Sequence, residues 1–287
     1  MHRTRNGVLL TLALLMAATE PSSCSKLFRP IGDSGSGTSG ALDGYYEGSF
    51  SDFTTGASGT LTALITEDGH AKIAETFSDG SVAILDAPDL TLDNGRVDSA
   101  YTRYTSVALL PTTGATHSAT TTGTLQGNLA GNQILNLEFT ATSPSPGDNG
   151  TLALSYQAQQ YQQRASLALV AGTYASSYTD SRGVPVMATV TLDSDGHFGG
   201  RDTDGCQYSG QLSVPDDNRN LYAGQWSFTC PRNVTASYDL LGTYTATTAT
   251  TGGGATLLLL ATDTTAQLLN AQSPATPPAA QQFTLQR

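Results

Sequence analysis

Four aspartates lie close together in the second half of the chain and offer the carboxylate oxygens that a hard cation prefers. Asp193, Asp195, Asp202 and Asp204 fall within 12 residues and bracket one candidate hairpin. Calcium takes such oxygen ligands, usually together with backbone carbonyls. The group lacks the third aspartate and the closing glutamate of an EF-hand loop, and aspartates in Asp-Gly turns also bond their own backbone. We keep two interpretations, a calcium site and a pair of turns with solvated neighbours.

Catalytic motifs with a recognisable spacing do not occur in the sequence. It contains no Gly-x-Ser-x-Gly elbow, no His-Glu-x-x-His helix and no phosphate-binding glycine loop. His70 and His197 each follow a glycine at equivalent places of an internal repeat, which explains their position without chemistry. Hydrolysis of a glycan needs two converging carboxylates, and nothing in the sequence selects a pair. The sequence therefore predicts binding rather than catalysis.

The first 23 residues have the organisation of a signal peptide. Arg3 and Arg5 precede an apolar run of 11 residues, from Val8 to Ala18. A transmembrane helix needs about 20 apolar residues, so this run has the length of a signal-peptide core. We predict that residues 1–23 direct export.

The residues that follow resemble the lipobox of bacterial lipoproteins. Pro21-Ser22-Ser23-Cys24 places two small residues before a cysteine, which in that family is lipidated and becomes the new N-terminus. The resemblance implies a lipid anchor on Cys24, and Ser25 after it implies transfer to the outer membrane, facing the periplasm. Pro21 stands where the family has a branched aliphatic residue, so cleavage after Thr19 by ordinary signal peptidase remains the alternative.

The number of cysteines agrees with lipidation. The chain has three, Cys24, Cys206 and Cys230, and in an oxidising compartment an odd cysteine needs an explanation. Lipidation of Cys24 removes it from the count and leaves Cys206 and Cys230 to form a disulfide. Zinc is a poor alternative, because neither cysteine belongs to a Cys-x-x-Cys pair and no histidine lies at ligand spacing.

The charge of the chain limits its partners. Lys and Arg number 13 against 24 Asp and Glu, which gives a net charge of −11. No cluster of basic residues is available to neutralise phosphates, so nucleic acid and anionic lipid surfaces are excluded as expected partners. The simplest role of the acidity is solubility.

Alternation of apolar and polar residues predicts an all-β protein. Leu135, Leu137 and Phe139 share one face of a strand, and so do Leu61, Ala63 and Ile65, with Leu64 as the one apolar residue opposite. Asp-Gly and Asn-Gly pairs between such segments are typical of two-residue type I′ hairpins. Residues 33–40 are rich in glycine and serine, typical of a flexible tether. Residues 157–168 are either a short helical interruption or an extension of a strand.

An internal repeat divides the folded part into two units of about 125 residues. The matching segments are Gly44–Phe50 with Gly172–Tyr178, Ile65–His70 with Leu192–His197, and Phe77–Ser81 with Asp202–Cys206. Seven or eight short strands per unit suit a small barrel or sandwich. We predict a signal peptide at 1–23, a lipid-anchor tether at 24–41, and antiparallel β domains at 42–170 and 171–287. One closed barrel of about sixteen strands is the alternative.

The second unit carries further motifs that point to a family. Asp195–Phe198, Gly205–Gly210 and Phe228–Cys230 resemble a group of proteobacterial lipoproteins of largely undescribed function, whose repeated unit is a small lipocalin-like barrel or sandwich. The resemblance implies tandem barrels in the cell envelope, and no functional residue is carried over from the group.

The expected function is therefore binding by a lipid-anchored envelope protein. Its partner would be a protein, with the chain acting as a scaffold or as an inhibitor or immunity lipoprotein for a periplasmic enzyme. The alternative is a lipocalin-like carrier of a small apolar ligand, and a glycan hydrolase is third. An inhibitor should have filled barrels and a rigid acidic loop, whereas a carrier should have a hollow barrel.

Overall fold

The structure is a computed structural model that describes residues 42–105, 120–131, 133–144, 146–179, 185–231, 234–246, 254–263 and 280–286. The predicted signal peptide, Cys24 and the tether lie outside the described residues, and so does His117. Nearly all of the described secondary structure is β-strand, and it forms two closed antiparallel barrels of eight strands each. The chain is therefore all-β with tandem barrels, not sandwiches and not a single sixteen-stranded barrel.

The first barrel closes where β4 pairs with β6, and the short β5 adds to the remaining length of β6. Going around the barrel, the order is β4-β3-β2-β1-β9-β8-β7-β6. Its strands are β1 (Gly44–Asp52), β2 (Ser58–Ile65), β3 (Ala71–Phe77), β4 (Val82–Ala87), β5 (Thr91–Asp93), β6 (Arg96–Thr105), β7 (Thr120–Ala130), β8 (Ile134–Ser143) and β9 (Asn149–Tyr156).

The second barrel is an uninterrupted series of neighbouring strands that closes between β10 and β17, where Ala175 pairs with Gln286. Its strands are β10 (Gly172–Thr179), β11 (Pro185–Leu192), β12 (His197–Asp202), β13 (Gln207–Ser213), β14 (Tyr222–Cys230), β15 (Val234–Ala246), β16 (Ala255–Asp263) and β17 (Ala280–Gln286). The strands of the first barrel lie within 42–170 and those of the second within 171–287. Both barrels belong to one compact unit.

Strict alternation places one side of each strand inside its barrel. In β11, Val186, Ala188, Val190 and Leu192 are buried while the residues between them are exposed. In β8, Leu135, Leu137 and Phe139 are buried in the same way. These are the faces that the sequence pattern predicts.

The turns are only partly of the predicted kind. Asn94-Gly95 is a two-residue turn with positive φ at both positions, 48° and 81°, as a type I′ hairpin requires. The hairpins at Thr66–His70, Phe77–Ser81, Asp193–His197 and Asp202–Cys206 have three-residue loops instead. There only the glycine has positive φ, so the turn combines an ordinary first bend with a glycine bulge. The prediction of two-residue turns at these Asp-Gly pairs was wrong, because the aspartate keeps negative φ.

Each barrel has its own packed core, and a third cluster joins the two. In that cluster Leu64, Ala74 and Ile84 lie on the outer face of the first barrel and meet Leu241 and Leu260 of the second. All five are at most 2 % exposed. Full burial of a leucine or isoleucine side chain contributes about 1.5–3 kcal/mol. An apolar interface therefore holds the two barrels together.

Two short helices connect the barrels, α1 (Ala158–Tyr161) and α2 (Leu167–Val170). The hydroxyl of Tyr161 donates to Asp43, and its backbone carbonyl accepts from the Asn220 N–H at 2.8 Å. The helical interpretation of 157–168 therefore holds for part of that segment. Among the described residues, no helix has both the length and the apolar character that crossing a bilayer requires.

Candidate functional site

A cleft of about 540 Å³ lies between the two barrels and combines an apolar wall with acidic groups. The first barrel contributes the turn between β2 and β3, with Glu67, Asp68 and His70. The second contributes Asp239 together with apolar residues, Pro215, Ala223, Leu240 and Leu241. This is the point where polar side chains of both barrels converge.

The β2–β3 turn has a fixed shape that sets the position of His70. Thr66 donates its N–H to the His70 carbonyl and accepts the Gly69 N–H, while Leu90 donates its N–H to the Gly69 carbonyl. Gly69 has φ of +88°, and a Cβ there would lie 2.6 Å from the Leu90 carbonyl oxygen. Only glycine fits such a place. The Thr66 hydroxyl also donates to Asp68, and this bond chiefly holds the pKa of the Asp68 carboxyl below its usual range.

Beneath the cleft, Lys72 is completely buried with three oxygen atoms close to its ammonium group. It lies on the outer face of β3, and its Nζ donates to Asp86 Oδ2 at 2.6 Å and to Thr262 Oγ1 at 2.6 Å. Asp239 Oδ2 lies 3.2 Å from the same Nζ. Two of the three N–H donors of the ammonium are thus hydrogen-bonded, and the ion pair with Asp239 adds a second carboxylate beside it. A buried charge is tolerated only when it is paired in this manner.

Asp86 connects the ammonium to the histidine. It is the cross-strand neighbour of Lys72 in the β3–β4 ladder. Its Oδ2 accepts from Lys72 and from the Thr262 hydroxyl at 2.7 Å, while its Oδ1 lies 2.8 Å from His70 Nε2. Burial by itself would raise the pKa of this carboxyl, but the bonds from His70, Lys72 and Thr262 and the charge of Lys72 hold it well below its usual range. Asp86 is therefore ionised.

His70, Asp86 and Asp239 together form the one group of three metal-ligand side chains found in the part of the chain that the structure describes. His70 Nε2 lies 3.9 Å from Asp239 Oδ2, and the three ligand atoms all lie within 4.8 Å of one another. The His70 and Asp239 side chains are 27 % and 36 % exposed, so the group opens onto the cleft. Imidazole and carboxylate donors can coordinate a divalent cation or bind a cationic side chain.

The interior of the first barrel contains a second group of charges. Arg103 donates to Glu75 Oε2 through Nε at 2.7 Å, and its Nη1 lies 3.9 Å from Asp52. Its guanidinium also lies over the rings of Phe77 and Phe139, at 5.9 and 5.8 Å. Glu75 is fully buried, and the described residues give its Oε1 no hydrogen-bond partner. Burial raises the pKa of the Glu75 carboxyl, and the charge of Arg103 offsets only part of that rise.

The second barrel fills the corresponding space with aromatic rings. Gly200 occupies the position in the second barrel that Glu75 occupies in the first, and Trp226 occupies the position of Arg103. The equivalence is found by counting from the β3–β4 and β12–β13 turns and following the strand pairings. Trp226 contacts Phe198, Tyr208 and Tyr238, with ring centroids 5.4–6.1 Å apart. A small residue opposite a large one conserves the packed volume, so the two barrels reach the same filled state by different chemistry.

The structure does not bring the four predicted calcium ligands together. Asp193 and Asp195 lie in the turn before β12, and Asp202 and Asp204 lie in the turn after it, about 17 Å away for a six-residue strand. The Asp193 carboxylate accepts the N–H groups of Asp195 and His197, as a turn aspartate does. The Asp202 carboxylate is buried and accepts from the Cys206 N–H and the Tyr208 hydroxyl. The geometry supports the turn interpretation.

The remaining predicted site residues have separate positions. Cys206 and Cys230 form the disulfide that counting cysteines predicts, and it joins the start of the β13 region to the end of β14. His197 is exposed beside its turn, where its backbone N–H donates to Asp193. Lipidation of Cys24 stays a prediction, because that residue lies outside the described part.

No pattern in the sequence groups Lys72, Asp86, Asp239 and Thr262. Two signals pointed toward their place, however. Leu64 is an apolar residue on the otherwise polar face of β2. In β4, residues Val82–Leu85 are apolar on both faces, as expected for strands that are covered on both sides. Lys72 is also one of only two lysines in the chain.

Comparison with known proteins gave no match to a family model, to a curated protein or to a solved structure.

Proposed function

We propose that the protein is a lipid-anchored component of the bacterial cell envelope that binds a protein partner through the acidic cleft between its barrels. It would act as a scaffold or as an inhibitor or immunity lipoprotein for a periplasmic enzyme. The observation that carries the proposal is that both barrel interiors are filled by their own side chains, while the polar groups gather on a rigid outer surface.

The packing of the interiors favours a protein partner over a small apolar ligand. Apolar side chains of the first core are at most 4 % exposed and those of the second at most 8 % exposed. A hollow barrel would leave its lining accessible to a water-sized probe, as carriers of this architecture require. The charged pair Glu75–Arg103 and the rings around Trp226 occupy the space that such a ligand would need.

The rim of the cleft has the character expected of a protein-binding surface. Glu67 and Asp68 are exposed on a turn that backbone bonds hold on both sides, so little conformational entropy is lost when a partner binds. Together with Asp239 they present negative charge beside the apolar Leu241 and Ala223. Such a surface suits a partner with a basic side chain over an apolar patch, and charge attraction would speed their association.

The proposed cellular location of the protein rests on the sequence. The apolar run at 8–18, the Cys24 motif and the disulfide in the folded part are together typical of an exported lipoprotein. Metabolic labelling with a palmitate analogue should tag the wild type and not Cys24→Ala. Label on the variant, or none on the wild type, would contradict the anchor.

Site-specific photo-crosslinking in the producing cells tests the partner. A photoreactive amino acid placed at Asp68 should yield a discrete protein adduct, and the same residue placed at Glu138 should not. Glu138 is the matched control, because it is also acidic and exposed but lies on β8, far around the barrel from the cleft. Charge reversal at Glu67 should weaken the Asp68 adduct.

Equal adducts at both positions, or none at either, would contradict the proposal. Mass spectrometry of a solvent extract of the purified protein separates the alternative. A stoichiometric apolar molecule in the extract would favour a carrier. A filled barrel would then have to open to hold that molecule.

A further inference from the structure

The geometry points to a metal site in the cleft, in which His70 Nε2, Asp86 Oδ1 and an Asp239 carboxylate oxygen bind a divalent transition-metal ion of the zinc type. This goes beyond the proposed function and does not depend on a protein partner. The Asp193–Asp204 group has no part in it.

The donor set selects the class of ion. One imidazole nitrogen with two carboxylate oxygens suits zinc and its neighbours in the first transition row, whereas calcium and magnesium take oxygen ligands. Three protein ligands with the remaining positions open to solvent is the arrangement of zinc sites that bind water or a further ligand.

The distances allow one ion to reach all three donors. Two ligand atoms at zinc bond lengths lie about 3.4 Å apart in tetrahedral geometry. His70 Nε2 lies 2.8 Å from Asp86 Oδ1 and 3.9 Å from Asp239 Oδ2, which brackets that spacing. Rotation of the partly exposed Asp239 and His70 side chains adjusts the two distances. Binding through Nε2 needs the single proton of the imidazole on Nδ1, so the ion would replace the direct contact between His70 Nε2 and Asp86 Oδ1.

The buried groups behind the cleft hold Asp86 as an outer shell holds a metal ligand. Its Oδ2 is occupied by Lys72 and by the Thr262 hydroxyl, at 2.6 and 2.7 Å. Only Oδ1 is directed to His70 and the cleft. The carboxylate is thus fixed in orientation before an ion arrives, so ordering it costs little on binding.

The balance of charge favours a cation in spite of Lys72. Two carboxylates, Asp86 and Asp239, face the single ammonium of Lys72, which compensates only one of their two negative charges. Glu67 and Asp68 add negative charge at the rim of the same cleft. Asp239, with 36 % of its side chain exposed, gives an ion a path from solvent.

The site exists only when the barrels are together. His70 and Asp86 come from the first barrel and Asp239 from the second, so a bound ion would link them. The second barrel offers a matched control in His197, which follows its turn glycine as His70 does but is exposed and belongs to no group of three metal-ligand side chains among the described residues.

The test uses the purified full-length mature protein, dialysed against a chelator and titrated with Zn²⁺ by calorimetry and with Co²⁺ by visible absorption. We expect one equivalent per chain and a higher melting temperature with zinc. His70→Ala and Asp239→Asn should each weaken binding by at least about 100-fold, and Thr262→Val by about 10-fold through the outer shell. His197→Ala should bind like the wild type. Circular dichroism confirms that each variant is folded.

Two results would overturn the inference. One is a wild type that binds neither ion at one equivalent. The other is a His70→Ala variant that binds as His197→Ala does, which would assign the ion to scattered surface groups. The Asp239→Asn variant keeps the test decisive if His70→Ala fails to fold, because the amide preserves the shape of the side chain.

Discussion

Lys72 of the first barrel donates a hydrogen bond of 2.6 Å to Thr262 of the second, across 190 residues of sequence. The same ammonium binds Asp86 of its own barrel and lies 3.2 Å from Asp239 of the other. A buried charge thus belongs to both barrels at once. This contact explains why the cleft has a defined shape rather than being a gap between two independent bodies.

Removal of the Lys72 ammonium should weaken the contact between the two barrels. In Lys72→Met, Asp86 stays partly buried without its cation, and we expect a loss of about 2–3 kcal/mol of unfolding free energy. That is below the 3–5 kcal/mol of a fully buried pair, because Asp86 and Asp239 keep some contact with water. Chemical denaturation in the presence of a chelator measures it. Thr262→Val, which removes only hydrogen bonds, should cost about 1 kcal/mol. An unchanged denaturation midpoint in Lys72→Met would contradict the stabilising role of Lys72 between the barrels.

The stability of the first barrel should depend on the ionisation of Glu75. Burial raises the pKa of its carboxyl above the ordinary 4.5, so the folded state holds the proton more tightly than the unfolded chain. Its contribution is complete below pH 4.5 and is lost as the pH rises through the folded-state pKa. Relative to Glu75→Gln, which does not titrate, the wild type should therefore lose stability over the range in which the pH rises above 4.5. Thermal melts of both proteins across that range provide the measurement, and parallel curves would refute the expectation.

The disulfide should contribute substantially to the second barrel. Cys206 and Cys230 are 24 residues apart, and in the chain-entropy model a loop of this size is worth about 3–4 kcal/mol. A Cys206→Ala/Cys230→Ala double variant should unfold at correspondingly lower denaturant. Mass spectrometry of non-reduced peptides identifies the link in the wild type, and free thiols at both positions in protein purified without reductant would exclude it.

The two halves should fold separately and then associate. Residues 42–170 contain all of the first core, and residues 171–287 contain the second core except for Ala165 and Val170. A domain of about 120 residues buries enough surface to fold alone. Each half alone exposes its share of the joining cluster, Leu64 and Ile84 on one side and Leu241 and Leu260 on the other. Gel filtration of the mixed halves should therefore show a one-to-one complex.

The control for that experiment is the first half with Ile84→Asp, which should fold but stay separate, because Ile84 lies on the outer face. If neither half folds while the whole chain does, the barrels depend on each other for folding and the two-domain description is wrong.

Local patterns were sufficient to predict the strands and the two units, although they left a barrel and a sandwich as alternatives. Val186, Ala188, Val190 and Leu192 alternate with polar residues, and the two-residue period of a strand converts that alternation directly into an inner and an outer face. The repeat predicted two units because matching segments recur in the same order. The pairing of Cys206 with Cys230 followed from the count of cysteines. Each of these inferences needs only neighbours in sequence or a simple inventory.

The site between the barrels was decided by tertiary structure alone. Lys72 lies at an outward position of β3, and the two-residue period of the strand predicts that its side chain is exposed to solvent. It is nevertheless completely buried, because the second barrel covers that face. Asp86 and Thr262 are 176 residues apart and become hydrogen-bonded only after the barrels dock. Alternation along a strand tells which residues point outward, but which part of the outer surface is then covered depends on the shapes of two finished barrels. For that reason the sequence determined the strands and the two units, whereas tertiary structure decided both the closure of each unit into a barrel and the packing that forms the site.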